Sequence, residues 1–239
     1  MTPRVYHYER VGSTMDVIHQ LAAESAEAGT MVIAGEQLEG RGSRGRAWHS
    51  PPGGLWLSTL FRPPATEGLE VISLRVGVAV ADALERLVPG PIQLKWPNDL
   101  MLGDRKVGGI LCEARWQGGV LGWVAVGIGL NVRNRVPAEL RRTAVSLAEV
   151  RPDITVDATI EPVVTALRQV DLRADRLSTI ELDRFASRDW LRGREIRSPL
   201  CGTVTGLGAD GALLVRTADR SDAPLRSGSV ELAVTSQVR

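Results

Sequence analysis

Polar and apolar positions alternate with a period of two over residues 5–9, and Val17, Ile18, Leu21 and Ala22 then recur at helical spacing. The first pattern predicts a strand. The second predicts a helix with its apolar stripe inward, opened by a capping-box-like Ser13 and Asp16 and closed by Gly29. Residues 31–35 and 55–61 read as strands on either side of a long loop rich in Gly, Arg and Pro, and residues 69–88 carry a helical apolar period. Strands then follow quickly at 92–96, 100–102, 106–116 and 120–132, with turns at Gly103-Asp104 and Gly118-Gly119, as in an antiparallel meander.

Ser146 with Glu149 is a second capping signal, and 157–177 and 180–191 read as helices whose exposed faces are rich in Arg, Asp and Glu. After Gly193 the pattern changes to short strands at 194–197, 202–207, 212–216 and 229–234, a small β-barrel-like appendage. Alternation of strand and helix indicates an α/β or α+β core. No internal repeat or low-complexity tract interrupts it.

At 239 residues the chain is long enough for one large domain, or a medium domain with an appendage, without a disulfide or metal. With 29 Lys+Arg against 28 Asp+Glu it has no broad electrostatic footprint for nucleic acid. Cys112 and Cys201 lie far apart, and Cys112 sits in an apolar stretch, so a buried thiol is expected rather than a disulfide. The first residues lack a signal peptide's apolar centre and no segment approaches 18 uninterrupted apolar residues, so the cytoplasm is the expected compartment.

Three segments carry chemistry. In residues 40–48, Gly40, Gly42 and Gly45 free the backbone while Arg41, Arg44 and Arg46 supply permanently charged planar donors and Trp48 a stacking surface. Such a loop suits an enclosed phosphate or carboxylate; an RNA-binding segment or a flexible connection shares its composition.

The second segment, Lys95-Trp96-Pro97-Asn98-Asp99, interrupts an apolar strand with polar groups that need partners. A two-residue turn at Gly103-Asp104 pairs Leu102 with Arg105, Met101 with Lys106 and Asp99 with Gly108, so Asp99 and Lys106 share a face as diagonal neighbours with Cα atoms about 7–8 Å apart. A phosphate-bearing ligand fits between them, and a surface ion pair is the competing reading. Gly108 and Gly109 beside Lys106 let a ligand lie against the backbone, or mark a bulge.

In the third segment Val126, Ile128, Leu130 and Val132 fall on one face and Ala125, Gly127, Gly129 and Asn131 on the other. The second face is a smooth floor for a flat ligand, or for a closely packed helix, with Asn131 as a polar handle. His7, His19 and His49 build no triad or zinc site, and His49 is read as lining the loop.

Together the loop at 40–48, the run 95–99, residues 106–111 and residues 127–132 resemble the biotin protein ligase family in order and spacing, from Ser13-Thr14 and Gln37 to Gly202-Thr203-Val204 and Gly211. Lipoate ligases are related but lack the arginine loop. The resemblance implies an α+β fold: a class II synthetase-like mixed sheet flanked by helices over residues 1–192, then a small SH3-like barrel over 193–239. It also implies the monofunctional form, since Ser13-Thr14 comes too early for an N-terminal DNA-binding domain.

The implied reaction makes biotinyl-AMP from biotin and ATP with magnesium, then transfers biotin to a lysine of a carboxylase carrier domain, with no DNA or membrane partner and a monomer or weak homodimer as the acting species. By the same resemblance Ser13, Thr14, Gln37, Gly40, Arg41, Gly42, Ser43, Lys106, Gly109 and Gly127 bind biotin. Arg41, Arg44, Arg46, Trp48, Asn98, Lys106 and Asn131 bind ATP or the adenylate. Lys106, Arg41 and Asp99 act in catalysis, Arg41 and Lys106 converging on the carboxylate and α-phosphate; no metal ligand is indicated. Two positions depart from the family pattern: Met15 stands where Asn is frequent, and Ser43 where a basic residue is frequent.

Overall fold

A computed structural model describes residues 3–233. The chain runs through β1 (Val5–Val11), α1 (Thr14–Ala23), β2 (Met31–Gln37), β3 (Leu55–Phe61), α2 (Ile72–Glu85), β4 (Gln93–Lys95), β5 (Asp99–Leu102), β6 (Arg105–Gln117) and β7 (Val120–Leu130). It continues through α3 (Val156–Arg168), α4 (Thr179–Ala186), β8 (Glu195–Ser198), β9 (Gly202–Leu207), β10 (Leu213–Arg216), β11 (Asp222–Leu225) and β12 (Glu231–Leu232). Seven strands form one mixed sheet in the order β1-β2-β3-β7-β6-β5-β4, with β1 and β2 parallel and the other neighbours antiparallel.

The period of two in β7 divides the molecule. Val126, Ile128 and Leu130 join the large apolar core with Val76, Val80 and Leu84 of α2 and Val163 and Leu167 of α3. Ala125 faces the other way, into a smaller cluster with Met15, Ile18 and Ala22 of α1. Beyond Ala125 that second face continues as Gly127 and Gly129, the floor of the site. The five-stranded sheet β11-β10-β9-β8-β12 is the expected small C-terminal β unit, packed on the first through Trp96, whose Nε1 donates to the Gly211 carbonyl at 3.0 Å. Its Ile196, Val204, Leu213 and Val215 belong to the same continuous apolar core.

Several boundaries differ from the sequence pattern for identifiable reasons. Helix α1 ends at Ala23, before Gly29, because Ser25 turns left-handed at φ 68° and the apolar stripe ends with Ala22. Its capping box does not close: Ser13 Oγ accepts from the Met15 amide at 3.3 Å, while Asp16 is taken by Arg41.

Helix α3 stops at Arg168 instead of reaching 177, and α4 at Ala186 instead of 191. Arg75, buried in α2, sends its guanidinium to the carbonyls of Ala174 (2.6 Å) and Arg176 and to Glu181 (2.8 Å). The helical ladder closes at Gln169 and Val170, whose amides turn to the Ala166 (3.1 Å) and Leu167 (3.3 Å) carbonyls three residues back; Arg75 pins the connection that follows, and Ser178 with Glu181 then starts α4 through a closed capping box. Residues 147–149, behind the Ser146–Glu149 capping box, form only a 3-10 turn. Strand β11, which contains Pro224, gave no strand signal. The strand expected at 229–234 narrows to β12, and Val234 lies outside the described residues.

Candidate active site

The turn at Gly103-Asp104 forms as expected, with Leu102 opposite Arg105 and Met101 opposite Lys106. The register then shifts, and Asp99 pairs with Gly109 rather than Gly108. The extra residue is a β-bulge at Val107, held because the Lys106 backbone turns to a separate segment: its amide donates to the Thr143 carbonyl at 2.7 Å, and its carbonyl accepts from Val145 at 3.0 Å. Without the bulge Lys106 and Gly109 would point to opposite faces. With it, Lys106, Gly109 and Asp99 share the face opposite the main core, and Lys106 Nζ lies 2.5 Å from Asp99 Oδ1.

That face opens into a cavity of about 490 Å³. At one end is a chain of hydrogen bonds: Gln37 Oε1 accepts from the Thr14 amide (2.8 Å) and the Thr14 hydroxyl (3.0 Å), and Gln37 Nε2 donates to Ser50 Oγ (2.9 Å). Because the Thr14 proton goes to Gln37, the buried Ser58 hydroxyl is the donor in its 2.7 Å contact with Thr14. The first turn of α1 brings Ser13 and Thr14 to this end, where its N–H groups and partial positive charge favour acceptor atoms.

The middle is the glycine floor. A Cβ on Gly127 would meet Met15 Sδ at 2.9 Å, and one on Gly129 would meet Trp48 Nε1 at 2.5 Å. Trp48 is roofed in turn by Lys106, whose Nζ stands 4.9 Å from the ring centre. The indole Nε1 is buried against Gly129 and has no hydrogen-bond partner there.

Arg41 lines the same cavity from the glycine-rich loop, with its two terminal nitrogens on Asp16 (2.9 and 2.7 Å) and Nε 3.8 Å from Glu113. The hydrogen bond with Asp16 holds that carboxyl below its usual range and raises the guanidinium. Arg41 and Lys106 therefore bound one cavity, each ion-paired to its own carboxylate. Gly42, Ser43, Arg46, Asn98, Asp99, Gly109, Gly127 and Asn131 line it too.

Two residues assigned from the sequence do not line it. Gly40 is a packing glycine, since a Cβ there would fall 2.5 Å from Ser50 Oγ and the Trp48 carbonyl. Arg44 turns left-handed at φ 61° and donates to Ser229 Oγ at 2.6 Å, away from the cavity. Asn131 spends its amide on the Val145 carbonyl (3.1 Å) and accepts from Asn134, so it fixes the end of β7 as well as lining the wall.

A match to the biotin/lipoate A/B protein ligase family spans residues 8–131, more than half of the chain. This chain belongs to that family. It is 31% identical over 225 residues to the bifunctional ligase/repressor BirA of Bacillus subtilis, covering 89% of this chain and 69% of that protein. It is 41% identical over 105 residues to the biotin--[acetyl-CoA-carboxylase] ligase of Paracoccus denitrificans, covering 42% and 43% of the two chains. The biotin protein ligase of Aquifex aeolicus in complex with biotin and ATP superposes with a TM-score of 0.81 at 27% identity, over 96% of this chain and 98% of that one.

In this member of the ligase family the sequence reading missed part of the site. Lys95, Asp104, Asn134 and Trp190 also line the cavity, as do Val136, Pro137, Leu140, Thr143 and Ala144. Lys95 stands 5.1 Å from the centre of the Trp190 ring, whose other partner is Arg194 at 3.8 Å, and burial depresses its amine. Lys95 was visible as a cation inside an apolar strand. Trp190 gave no signal, since it arrives from a segment that read as helix. Cys112, behind the floor, has its thiol pushed up to about 12 by burial and is not nucleophilic. Both cysteines are free, and no helix among the described residues is long and apolar enough to cross a membrane.

Proposed function

We propose that this chain is an ATP-dependent biotin protein ligase, which condenses biotin with ATP to biotinyl-AMP and pyrophosphate and passes the biotin to a lysine of a carboxylase carrier domain. The observation that carries this reading is the single cavity in which a hydrogen-bonding end, a glycine floor and two cations follow one another. Family membership alone leaves the acyl substrate open, because one fold serves related acids.

The ureido head of biotin suits the Ser13–Thr14–Gln37 end, where donors and acceptors are already aligned. Its apolar bicycle suits the floor at Gly109 and Gly127 under Met15. The carboxylate then reaches Arg41 and Lys106, which also meet the α-phosphate and spread the charge that grows as the carboxylate oxygen attacks phosphorus. Trp48 offers its ring to the adenylate, with Arg46, Asn98 and Asn131 along the wall. The Lys106 and Asp99 side chains keep 26% and 22% of their surface exposed at the cavity, so an incoming phosphate reaches the ammonium and can take the place of Asp99. Asp99, released from Lys106, is then placed to orient or deprotonate the incoming carrier lysine.

Among the described residues no group of three potential metal ligands exists. Asp99 and Asp104 are the carboxylates in the cavity, a donor set that fits magnesium held mainly by nucleotide phosphates and water. When bound, magnesium would neutralise phosphate charge. Residues 1–192 are assigned to catalysis and 193–239 to the small β unit.

The test is incubation with ATP, magnesium and either biotin or lipoate, followed by a carrier domain. Pyrophosphate exchange with biotin alone and a biotin-sized mass gain on the carrier are expected. Exchange driven by lipoate, or salt-sensitive RNA binding without AMP formation, would overturn the reading.

A further inference from the structure

The Arg41 guanidinium has two carboxylate partners of opposite character. Asp16 occupies its outer edge, taking both terminal nitrogens, and its side chain is 55% exposed. Glu113 faces Nε from β6 and is 22% exposed. Glu113 is also tied down from behind: its second oxygen receives His19 Nε2 at 2.9 Å and Arg115 at 3.2 Å.

The hydrogen-bond directions at His19 are fixed by its other neighbour. Trp123 Nε1 can only donate, and it donates to His19 Nδ1 at 2.9 Å. His19 must therefore carry its proton on Nε2 and donate to Glu113. Burial favours the same neutral ring by lowering its affinity for a second proton. The order Trp123, His19, Glu113, Arg41 is thus a directed relay, rooted in β7 and α1 and ending at the loop.

We propose that Glu113, oriented by His19 and Trp123, is the positioning residue for Arg41, and that Asp16 is an exchangeable latch on the guanidinium edge to which the anionic substrate binds. A carboxylate or phosphate approaching Arg41 competes with Asp16 for the two terminal nitrogens, and the exposed partner leaves. The Nε side remains with Glu113, so the guanidinium keeps its aim while its ligand changes. Asp16 and Glu113 carry the same charge and touch the same cation, yet act oppositely: removing the latch helps binding, removing the anchor harms it. A purely electrostatic or purely structural role gives both neutralisations the same sign.

The inference rests on the biotin reading, and the experiment separates the two. Biotin binding is measured by calorimetry and adenylation by pyrophosphate exchange, with melting curves for each variant. If the unaltered chain shows neither with biotin, the functional reading fails. If it shows both, Asp16→Asn is expected to bind biotin about two- to fivefold more tightly at low salt, the advantage fading at high salt as expected for a screened surface pair.

Glu113→Gln, which removes the charge that faces Arg41 Nε at 3.8 Å, is expected to weaken biotin binding and adenylation about fivefold, the scale of a lost close ion pair. His19→Leu should act in the same direction. His19→Gln, whose amide can still donate to Glu113, should recover most of the loss. Equal signs for Asp16→Asn and Glu113→Gln, or equal defects in the two His19 variants, would overturn the proposal. If Glu113→Gln does not fold, the His19 pair and Asp16→Asn decide the matter.

Discussion

Trp48 lies across Gly129 so closely that a methyl group on that glycine would stand 2.5 Å from the indole Nε1. The ring is held between this floor and the Lys106 ammonium, so it cannot rise without losing the cation. Gly129→Ala is therefore expected to displace Trp48, raising KM for ATP about tenfold or more while KM for biotin changes little. Steady-state kinetics with each substrate in turn checks this.

Ser43 contributes a hydroxyl that accepts from Arg46 at 3.2 Å, and no charge of its own to the cavity mouth. Ser43→Arg is expected to slow the escape of biotinyl-AMP, since a guanidinium there adds a cation over the phosphate. Release is followed by rapid separation after single-turnover adenylation, and an unchanged release rate would sink the idea.

Because burial lowers the His19 pKa, the unfolded chain binds a proton at this site more readily than the folded chain does. The stability contributed is complete above the unfolded value near 6.5 and is lost as the pH falls from there toward the lower folded value. The depressed carboxylates Asp16 and Glu85 act in the same direction, but only below 3.8 and 4.5. Tm is expected to fall between about pH 7 and pH 5.5, and His19→Gln should flatten that part of the curve. Differential scanning calorimetry at closely spaced pH values provides the measurement.

Arg75 is 4% exposed and holds two carbonyls and Glu181 together between α2 and α4. Arg75→Ala removes these three hydrogen bonds from a charged donor, and is expected to cost about 1.5–3 kcal/mol of stability. Urea unfolding should register that loss, whereas a surface change such as Arg135→Ala should move it by less than about 0.5 kcal/mol.

The strands of the meander, the turn at Gly103-Asp104 and the two faces of β7 were legible because each depends on a period of two and a local turn. The chemical segments were legible for a related reason: cations and glycines in the middle of apolar strands conflict with simple core packing. The bulge at Val107 was not legible as a register, since it depends on Lys106 pairing with residues 143–145, far along the chain. The connection between α3 and α4 was not legible either, since its path is fixed by Arg75 of a different helix, which holds the Ala174 and Arg176 carbonyls.

The sequence by itself determined the order of elements apart from β11, the glycine floor and the set of cations that arrive near it, because side-chain alternation and turn chemistry act within a few residues. Only the tertiary structure decided that Lys106 and Gly109 share a face, that Arg44 points to Ser229 while Arg41 points to the cavity, and that Trp190 joins the wall. Those outcomes depend on which distant group satisfies a buried polar atom or covers a ring, a choice made when the segments pack against one another.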